Sequence, residues 1–525
     1  MILRPLFAAV VLVAIVDAGE APLHGSADFL PTPESPSNFR GDPRGGYPGA
    51  SIPTEFSAEK NLGWKAEPGQ GCGAVVVVGK RLFVQAAPNA LVCLDAASGK
   101  ELWRRTHHAE TLDPKSQEAV FDGVMDSLGE YHRLGQKMIK LPKGERGEIQ
   151  ATMDKIILGM PAPWNTVGKG EPAIANQIPG AEIGGYGFGG IYLICTTPVS
   201  DGQRVVARFP TGIVVAYDLD GKHLWSACTR LNIPAPESFK GKSIRWPPKP
   251  SQSACPLLTP EGIVVVSTRN LVFGLDAATG KERWRVLDPN IHNTYASPVL
   301  GRIGNENFVA IGDGTIVRAR DGFLVHTDVK GTSAPTCPVF ADGVFYWVTH
   351  AVRVVAGNPP RAEVVWDWTL EQLKAVSGWF PYRIPRLSSD LDMASPVLVD
   401  GKIIYYGASM KGKMAVIDAK TGTVLSQAPY QRPKFNLPGG LGKGVTKNWP
   451  YSGMTRMGDR LVVGHDNGLI YIYPINDTFT PAVVCGIPDD LYAHPVAHGS
   501  RLYLRSLNAV WCFEEKSGQT KDKAP

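Results

Sequence analysis

The sequence predicts an all-β protein, an eight-bladed β-propeller of four-stranded blades with a helical insertion between blades 1 and 2. Three observations in the 525 residues lead to this prediction. A hairpin pattern recurs along the chain, and the innermost strands begin at intervals as short as about forty residues, a period typical of four-stranded blades. An unpaired outer strand near the start of the chain also matches a missing outer strand near its end.

The hairpin pattern is clearest at residues 271–286, LVFGLDAATGKERWRV. Apolar residues alternate in its first half, as they do in a half-buried strand. Asp276 can bond to its own backbone and Gly280 can adopt a positive φ, so a turn is expected before the strand that carries Trp284. Further copies of the pattern occur at residues 91–105, 213–227 and 414–427, and more divergent copies occur at 316–327 and 352–368. The residues interpreted as structural in these repeats are Asp95, Gly99, Trp103, Trp225, Asp276, Gly280, Trp284, Asp418 and Gly422.

These hairpins resemble the quinoprotein-type (PQQ-like) β-propeller repeat, whose core reads apolar-A-L-D-A-x-T-G-K-x-x-W. The resemblance is strong at residues 94–103 and 275–284 and good at 217–225 and 417–425. It implies a disc of four-stranded blades around a central channel. Quinoprotein alcohol dehydrogenases and the propeller scaffold of outer-membrane assembly share this fold, so the resemblance leaves the function open.

The first residues are predicted to be a signal peptide over residues 1–18. Arg4 supplies the positive charge, residues 6–16 are apolar, and small residues up to Ala18 suit cleavage. The apolar run is too short to span a bilayer, and no other stretch is long enough. We therefore expect an exported protein, periplasmic or extracellular, without a membrane span.

A polar, Pro-rich lead over residues 19–60 is expected to be extended, and the propeller to occupy residues 61–515 before a polar tail at 516–525. Trp64 sits as the repeat tryptophan does, but no inner strands precede it. The strands predicted at residues 501–506 and 509–513 lack an outer partner. The strand of Trp64 should therefore complete the last blade and close the ring, which removes exposed sheet edges.

The number of blades follows from the innermost strands, several of which begin with a small residue, a proline and an apolar residue, as in Ser297-Pro298-Val299. Eight such strands indicate eight blades. They are predicted to begin near Cys72, Ile191, Ala254, Tyr295, Ala334, Ala394, Gly453 and Ala493.

Four long insertions should share one face of the disc. In a meander of strands A to D, the A–B and C–D turns lie on one face, and the B–C loops and D-to-A connections lie on the other. Residues 106–190, 229–253, 369–393 and 428–452 all fall in D-to-A connections. Long loops in a compact domain are often functional, and we call their side the insertion-bearing face. Apolar residues at helical spacing predict a helix pair at residues 114–140 and 145–158.

Candidate binding residues on this face are polar groups from the connections nearest the axis. They suit a polar ligand or a protein partner held on a rigid scaffold. They are Gln252, His292, Asn293, Asp390, Asp392, Tyr451, His465, Asp466 and His494.

Catalysis is the main alternative. The resemblance implies, for the dehydrogenases, an adjacent Cys-Cys disulfide against the quinone and a carboxylate set that binds Ca²⁺. No two of the eight cysteines are adjacent, and a C-x-x-C-H haem motif is absent from the sequence. Cys228 and Cys255 flank one loop and could form a disulfide. We therefore expect no catalytic residue, no metal site and no cofactor. PQQ and Ca²⁺ are expected only if the protein is a quinone-dependent dehydrogenase.

The predicted function is that of an exported, non-catalytic binding or scaffold module. The alternatives are a periplasmic PQQ-dependent dehydrogenase and a propeller that binds polysaccharide through loop aromatics. The formal charge of +5 is spread over the chain without a basic run, which argues against nucleic acid. The oligomeric state stays open.

Overall fold

The computed structural model describes most of the predicted propeller and little of the predicted insertions. The described residues are 21–86, 90–106, 130, 134, 137, 141–145, 147–159, 167–168, 171–172, 196–209, 213–229, 254–268, 270–288, 290–291, 296–327, 336–369, 371–372, 395–406, 413–429, 453–476 and 483–515. The predicted signal peptide and polar tail therefore lie outside them. In this part of the chain, no helix is both long and apolar enough to cross a membrane.

The fold is the predicted eight-bladed propeller, and in blades 1 to 7 the four strands are hydrogen-bonded in chain order from the innermost outward. Two strands precede the first blade: β1 (Gly46–Tyr47) and β2 (Leu62–Ala66). Blade 1 consists of β3 (Val76–Val78), β4 (Arg81–Ala86), β5 (Ala90–Asp95) and β6 (Glu101–Thr106). The first predicted insertion then contains a short 3₁₀ helix (Lys143–Glu145), α1 (Gly147–Gly159) and the paired strands β7 (Val167–Gly168) and β8 (Glu171–Pro172).

Blades 2 to 4 follow the same order. Blade 2 consists of β9 (Val199–Ser200), β10 (Arg204–Arg208), β11 (Ile213–Asp218) and β12 (His223–Cys228). Blade 3 consists of β13 (Leu257–Leu258), β14 (Ile263–Thr268), β15 (Leu271–Asp276) and β16 (Glu282–Leu287). Blade 4 consists of β17 (Val299–Ile303), β18 (Glu306–Ala310), β19 (Ile316–Arg318) and β20 (Leu324–His326).

Blades 5 to 8 complete the ring. Blade 5 consists of β21 (Val339–Ala341), β22 (Val344–Tyr346), β23 (His350–Val355) and β24 (Arg361–Asp367). Blade 6 consists of β25 (Val397–Val399), β26 (Lys402–Tyr406), β27 (Lys413–Asp418) and β28 (Val424–Pro429). Blade 7 consists of β29 (Met454–Met457), β30 (Arg460–Gly464), β31 (Leu469–Pro474) and β32 (Val483–Gly486). Blade 8 has β33 (Val496–His498), β34 (Arg501–Arg505) and β35 (Val510–Phe513) from the end of the chain.

The ring closes as the sequence predicts. β2 pairs antiparallel with β35, with Trp64 opposite Cys512, and so becomes the outer strand of blade 8. The middle strands of the blades are buried on both sides, as in β14, because neighbouring sheets pack face to face. The same holds for β15, which is buried on both sides, whereas its sequence pattern predicted a half-buried strand.

Two sequence-based expectations, the start of the inner strand of blade 2 and the helix pair in the first insertion, are not fully matched by the described residues. The inner strand of blade 2 is Val199–Ser200, whereas the sequence pattern placed its start near Ile191, which lies outside the described residues. Thr196 and Thr197 precede this strand in non-strand conformation, and their side chains form hydrogen bonds with Gln85 and with Ala74 N of blade 1. Of the predicted helix pair, the second helix corresponds to α1, and the first lies largely outside the described residues.

A tryptophan of each of five outer strands docks on the next blade. The indole of Trp225 in blade 2 packs against Gly280 in blade 3, and its Nε1 donates a hydrogen bond to the Ala277 carbonyl oxygen at 2.8 Å. Gly280 has a φ of +70°, and a Cβ built on it would lie 2.4 Å from Trp225 Cε3. The equivalent pairs are Trp64–Gly99, Trp103–Gly221, Trp284–Gly322 and Trp366–Gly422.

Replacing Gly280 with alanine should therefore weaken the interface between blades 2 and 3. A positive φ alone costs an alanine about 1 kcal/mol, and displacing a packed indole adds about 1–3 kcal/mol. Gly262 is the matched control, because it has a φ of +67° and a Cβ on it would meet nothing within 4 Å. Denaturant unfolding should show a larger loss for Gly280→Ala than for Gly262→Ala. Equal losses would mean that the indole contact contributes nothing.

The lead is folded into the space enclosed by the inner strands. It forms a two-residue strand, β1, that runs parallel to β29, with Gly46 opposite Arg456. The other contacts run along the inner strands and their A–B turns: Ser37 N to Ser200 O at 2.8 Å, Asn38 Nδ2 to Leu258 O at 2.9 Å, Phe340 N to Pro43 O at 2.8 Å, Leu398 N to Arg44 O at 2.9 Å, Arg456 N to Gly45 O at 3.2 Å and Ser51 N to Gly499 O at 3.0 Å. The lead thus supplies hydrogen-bond partners to inner edges that would otherwise be unpaired.

Candidate functional site

The predicted binding residues divide into two groups. Gln252, His292, Asn293, Asp390, Asp392 and Tyr451 lie outside the described residues. His465, Asp466 and His494 are described, and all three are buried. The connections that contain the first group join the outer strand of one blade to the inner strand of the next, so strand alternation gives them one common face.

A belt of hydrogen bonds joins the starts of the inner strands from blade 1 to blade 6. In each step, a backbone N–H donates to the side chain of the equivalent residue in the next blade. The belt explains why a small residue precedes the proline at the start of several inner strands, as in Ser297-Pro298-Val299. The side chain of this small residue is the hydrogen-bond acceptor. The steps are Ala74 N to Thr197 Oγ1 (3.0 Å), Thr197 N to Cys255 Sγ (3.1 Å), Cys255 N to Ser297 Oγ (3.1 Å), Ser297 N to Cys337 Sγ (3.1 Å) and Cys337 N to Ser395 Oγ (3.0 Å).

The cysteines of the belt are buried thiols. Burial raises the pKa of Cys255 to about 11, so this thiol is neutral at neutral pH. The possible disulfide between Cys228 and Cys255 is not formed, since Cys255 is a free cysteine. Its sulfur instead accepts the backbone N–H of Thr197. Sequence spacing could not reveal this packing role.

The side chains of two residues of the lead, Phe39 and Arg40, contact the starts of inner strands. The guanidinium of Arg40 is buried, and its Nη2 donates to the carbonyl oxygens of Pro396 (2.8 Å) and Met454. Phe39 packs edge-on against the ring of His494, with centroids 4.6 Å apart. These two side chains thus reach the ends of the inner strands at which the D-to-A connections enter, whereas the backbone of the lead lies nearer the A–B turns.

The described candidate residues contribute to packing. Burial, with a further contribution from Arg40, lowers the pKa of His494 to about 3, so its imidazole is neutral. His465 is also fully buried, with Nε2 3.4 Å from the Tyr406 hydroxyl and its ring 4.6 Å from that of Tyr471. Their role in binding stays a prediction.

The sequence analysis missed a set of polar residues at the ends of the second strands. In blade 1, Gln85 Nε2 donates to Arg208 O at 2.9 Å, and Gln85 Oε1 accepts from Thr196 Oγ1 at 2.8 Å. In blade 2, Arg208 Nη1 donates to Ala254 O at 2.7 Å. In blade 8, Arg505 Nη2 donates to Gly69 O. A charged residue that ends an apolar strand, as in RVVAR and RLYLR, is the signal that could have found them.

Two features that the resemblance implies for a quinone site are not seen among the described residues. Their free cysteines are all buried and none is adjacent to another: Cys72, Cys93, Cys255, Cys337, Cys485 and Cys512. Among these residues, no three His, Cys, Asp or Glu side chains are grouped as metal ligands would be. Asp390 and Asp392, the two acidic candidate binding residues of the connection at residues 369–393, lie outside the described part of the chain.

Comparison with known proteins gives one family and several distant relatives. The sequence profile described as "Outer membrane protein assembly factor BamB" matches residues 53–123 and 210–523. A polyvinylalcohol dehydrogenase from Pseudomonas sp. is 25% identical over 279 residues, which are 47% of this chain and 38% of that enzyme. The corresponding enzyme from Sphingopyxis sp. (strain 113P3) is 28% identical over 244 residues, 42% of this chain and 34% of the enzyme. This chain therefore spans less than two fifths of the length of either enzyme.

Solved structures with a similar fold are also distant. The quinohemoprotein alcohol dehydrogenase ADHIIG from Pseudomonas putida HK5 is 13% identical, with a TM-score of 0.48 that covers 94% of this chain and 82% of the enzyme. BamB from Moraxella catarrhalis is 16% identical, with a TM-score of 0.38 that covers 60% of this chain and 81% of BamB. A likeness of this degree carries no information about function.

Proposed function

We propose, because this chain belongs to the family of the outer membrane protein assembly factor BamB, that it is a non-catalytic scaffold which binds a protein partner. The proposed binding surface is the insertion-bearing face, and the proposed location is the periplasm, which is typical of this family. The observation that carries the choice of face is the position of the lead, whose backbone occupies the inner strands near the A–B turns.

The architecture supports a scaffold role in two ways. Tryptophan docking or the polar belt links successive blades from blade 8 through blade 1 to blade 6, so loops on this part of the disc are held in fixed relative positions. The face of the A–B and C–D turns offers short turns, such as the one at Gly262, whereas the long connections leave from the opposite face. Binding sites concentrate on loops that a rigid scaffold positions.

The experiment is replacement of residues 114–158 by a Gly/Ser linker, followed by co-purification with partners from solubilised membranes of the source organism. We expect the recovery of specific partners, quantified by mass spectrometry, to fall at least about tenfold. Loss of a single central contact that contributes about 1.4 kcal/mol of binding free energy would already weaken binding by this factor. Unchanged thermal unfolding of the variant would show that the propeller itself is intact.

Matched controls come from exposed lysines in the C–D turns of the opposite face, Lys281 and Lys420. Lys281→Glu and Lys420→Glu each reverse a charge without touching the proposed surface, so partner recovery should not change. If these substitutions abolish recovery while the linker variant retains it, binding uses the other face and the proposal is wrong.

A PQQ-dependent dehydrogenase is the second candidate, favoured by the 25% identity to polyvinylalcohol dehydrogenase. We expect the purified protein, incubated with PQQ and Ca²⁺, to reduce no dye with polyvinyl alcohol or primary alcohols above a protein-free control. Quinone-dependent and substrate-dependent dye reduction would establish the second candidate instead.

A further inference from the structure

Among the described residues, neither of the two links found between other blades joins blades 6 and 7. At the position of the docking tryptophan, blade 6 has Ser426, which pairs with Val416 as Trp284 pairs with Gly274. The polar belt also ends here. Gly453 occupies the next place in it, since a Cβ on Gly453 would lie 3.1 Å from Ser395 N, and glycine has no side chain to accept that N–H.

Among the described residues, apolar packing and the contacts of a tyrosine hydroxyl connect these blades. Val397 and Val416 of blade 6 share a buried cluster with Met454 and Val463 of blade 7. The Tyr406 hydroxyl of blade 6 lies 3.4 Å from the imidazole of His465 and also makes a side-chain hydrogen bond with Tyr473 of blade 7.

The lead crosses this same interface. One guanidinium nitrogen of Arg40 donates both to Pro396 O of blade 6, at 2.8 Å, and to Met454 O of blade 7. Immediately beyond it, Arg44 O accepts the N–H of Leu398 in blade 6, and Gly45 O accepts the N–H of Arg456 in blade 7. The lead therefore joins two strands that neither a tryptophan nor the belt joins.

The contact also lies at the end of an insertion. Met454 begins the inner strand of blade 7, which follows the connection of residues 430–453. The Arg40 contact thus ties the lead to the point at which that connection rejoins the propeller.

We infer that the lead is a strap that locks the interface between blades 6 and 7, with Arg40 as the positioning residue, and that this side of the ring opens when the strap is released. The inner strands β25 and β29 then exchange their amide hydrogens in the same opening event as the lead. The inference concerns a conformational device of the fold and does not depend on which partner the protein binds.

Hydrogen exchange of the full chain, measured by mass spectrometry, tests this inference. In Arg40→Met, exchange at Leu398 and Arg456 should accelerate at least about tenfold, because hydrogen exchange reports local opening. Arg208→Met is the matched control: Arg208 is also buried and also donates to a carbonyl of the next blade, that of Ala254. Its interface keeps the Trp225 contact, so exchange there should change less than about threefold.

The wild-type protein gives a second test that needs no variant. We expect the amides of Leu398 and Arg456 to exchange together with lead amides such as Gly49, and the belt amides of Cys255 and Ser297 to exchange only on global unfolding. Unchanged exchange at Leu398 in Arg40→Met, a uniform increase over all blades, or wild-type exchange of Leu398 together with the belt would each overturn the inference.

Discussion

A variant that lacks residues 19–68 should fail to form a stable propeller. The deletion removes β2 and leaves β35 as an open outer edge, which can pair with other chains. It also removes the lead, with its hydrogen bonds to the inner strands. We expect the variant to aggregate, or to unfold at least about 10 °C below the parent, since about 2–4 °C accompanies each kcal/mol lost in a domain of a few hundred residues.

The control for this deletion is removal of residues 516–525, the predicted polar tail, which no predicted strand requires. Light scattering and thermal unfolding of the two truncated proteins measure the difference. A variant lacking residues 19–68 that stays monomeric and melts within about 2 °C of the parent, a shift of about 1 kcal/mol or less, would refute closure of the ring by β2.

Trp64→Ala should produce a large loss of stability from a single side chain. The indole is 8% exposed, lies against Gly99 of blade 1 and donates from Nε1 to the Ala96 carbonyl oxygen at 3.2 Å. Removing a buried tryptophan typically costs about 3–5 kcal/mol through lost burial and the cavity left behind. This substitution acts at the point where the two ends of the chain meet.

The control for Trp64→Ala is Leu102→Ala. Leu102 also lies in an outer strand, but 49% of its surface is exposed, so its truncation should change the free energy of unfolding by about 0.5 kcal/mol or less. Urea unfolding monitored by circular dichroism compares them. Similar small losses for both variants would show that the docked indole does not hold the ring together.

The repeat could be predicted because its determinants are local. Asp95 and Asp418 show why: the hydroxyls of Ser98 and Thr421 donate to these carboxylates and help to hold each pKa below its ordinary value. Each hydroxyl residue lies three positions after its aspartate, so the turn can be predicted from a short stretch of sequence. Closure by Trp64 was also predictable, because an unmatched outer strand must pair with the blade that lacks one.

The place of the lead could not be predicted, because its contacts are with residues hundreds of positions away. Arg40 bonds to backbone carbonyls of Pro396 and Met454, and a backbone acceptor carries no side-chain signature. The polar, Pro-rich composition of the lead predicted an extended chain and gave no sign of burial. β1 is likewise only two residues long, too short for any periodicity.

For the candidate site, the sequence could predict which face of the disc carries the long connections, but not the role of each residue on it. Strand alternation assigns the long connections to one side, whatever their internal structure. The roles of individual residues depend on burial, and His465 shows this, since a histidine in a loop suggested binding whereas the structure buries it between Tyr406 and Tyr471.

Site-specific photo-cross-linking tests the central claim, a scaffold that binds its partner through the insertion-bearing face, most directly. A photoreactive residue would be placed at Asn508, exposed in the B–C loop of blade 8 on that face, or at Asp400, exposed in the A–B turn of blade 6 on the opposite face. With each full-length variant expressed in the source organism, we expect a protein partner to be cross-linked from Asn508 and not from Asp400. Cross-linking of that partner from Asp400 and not from Asn508 would contradict the account.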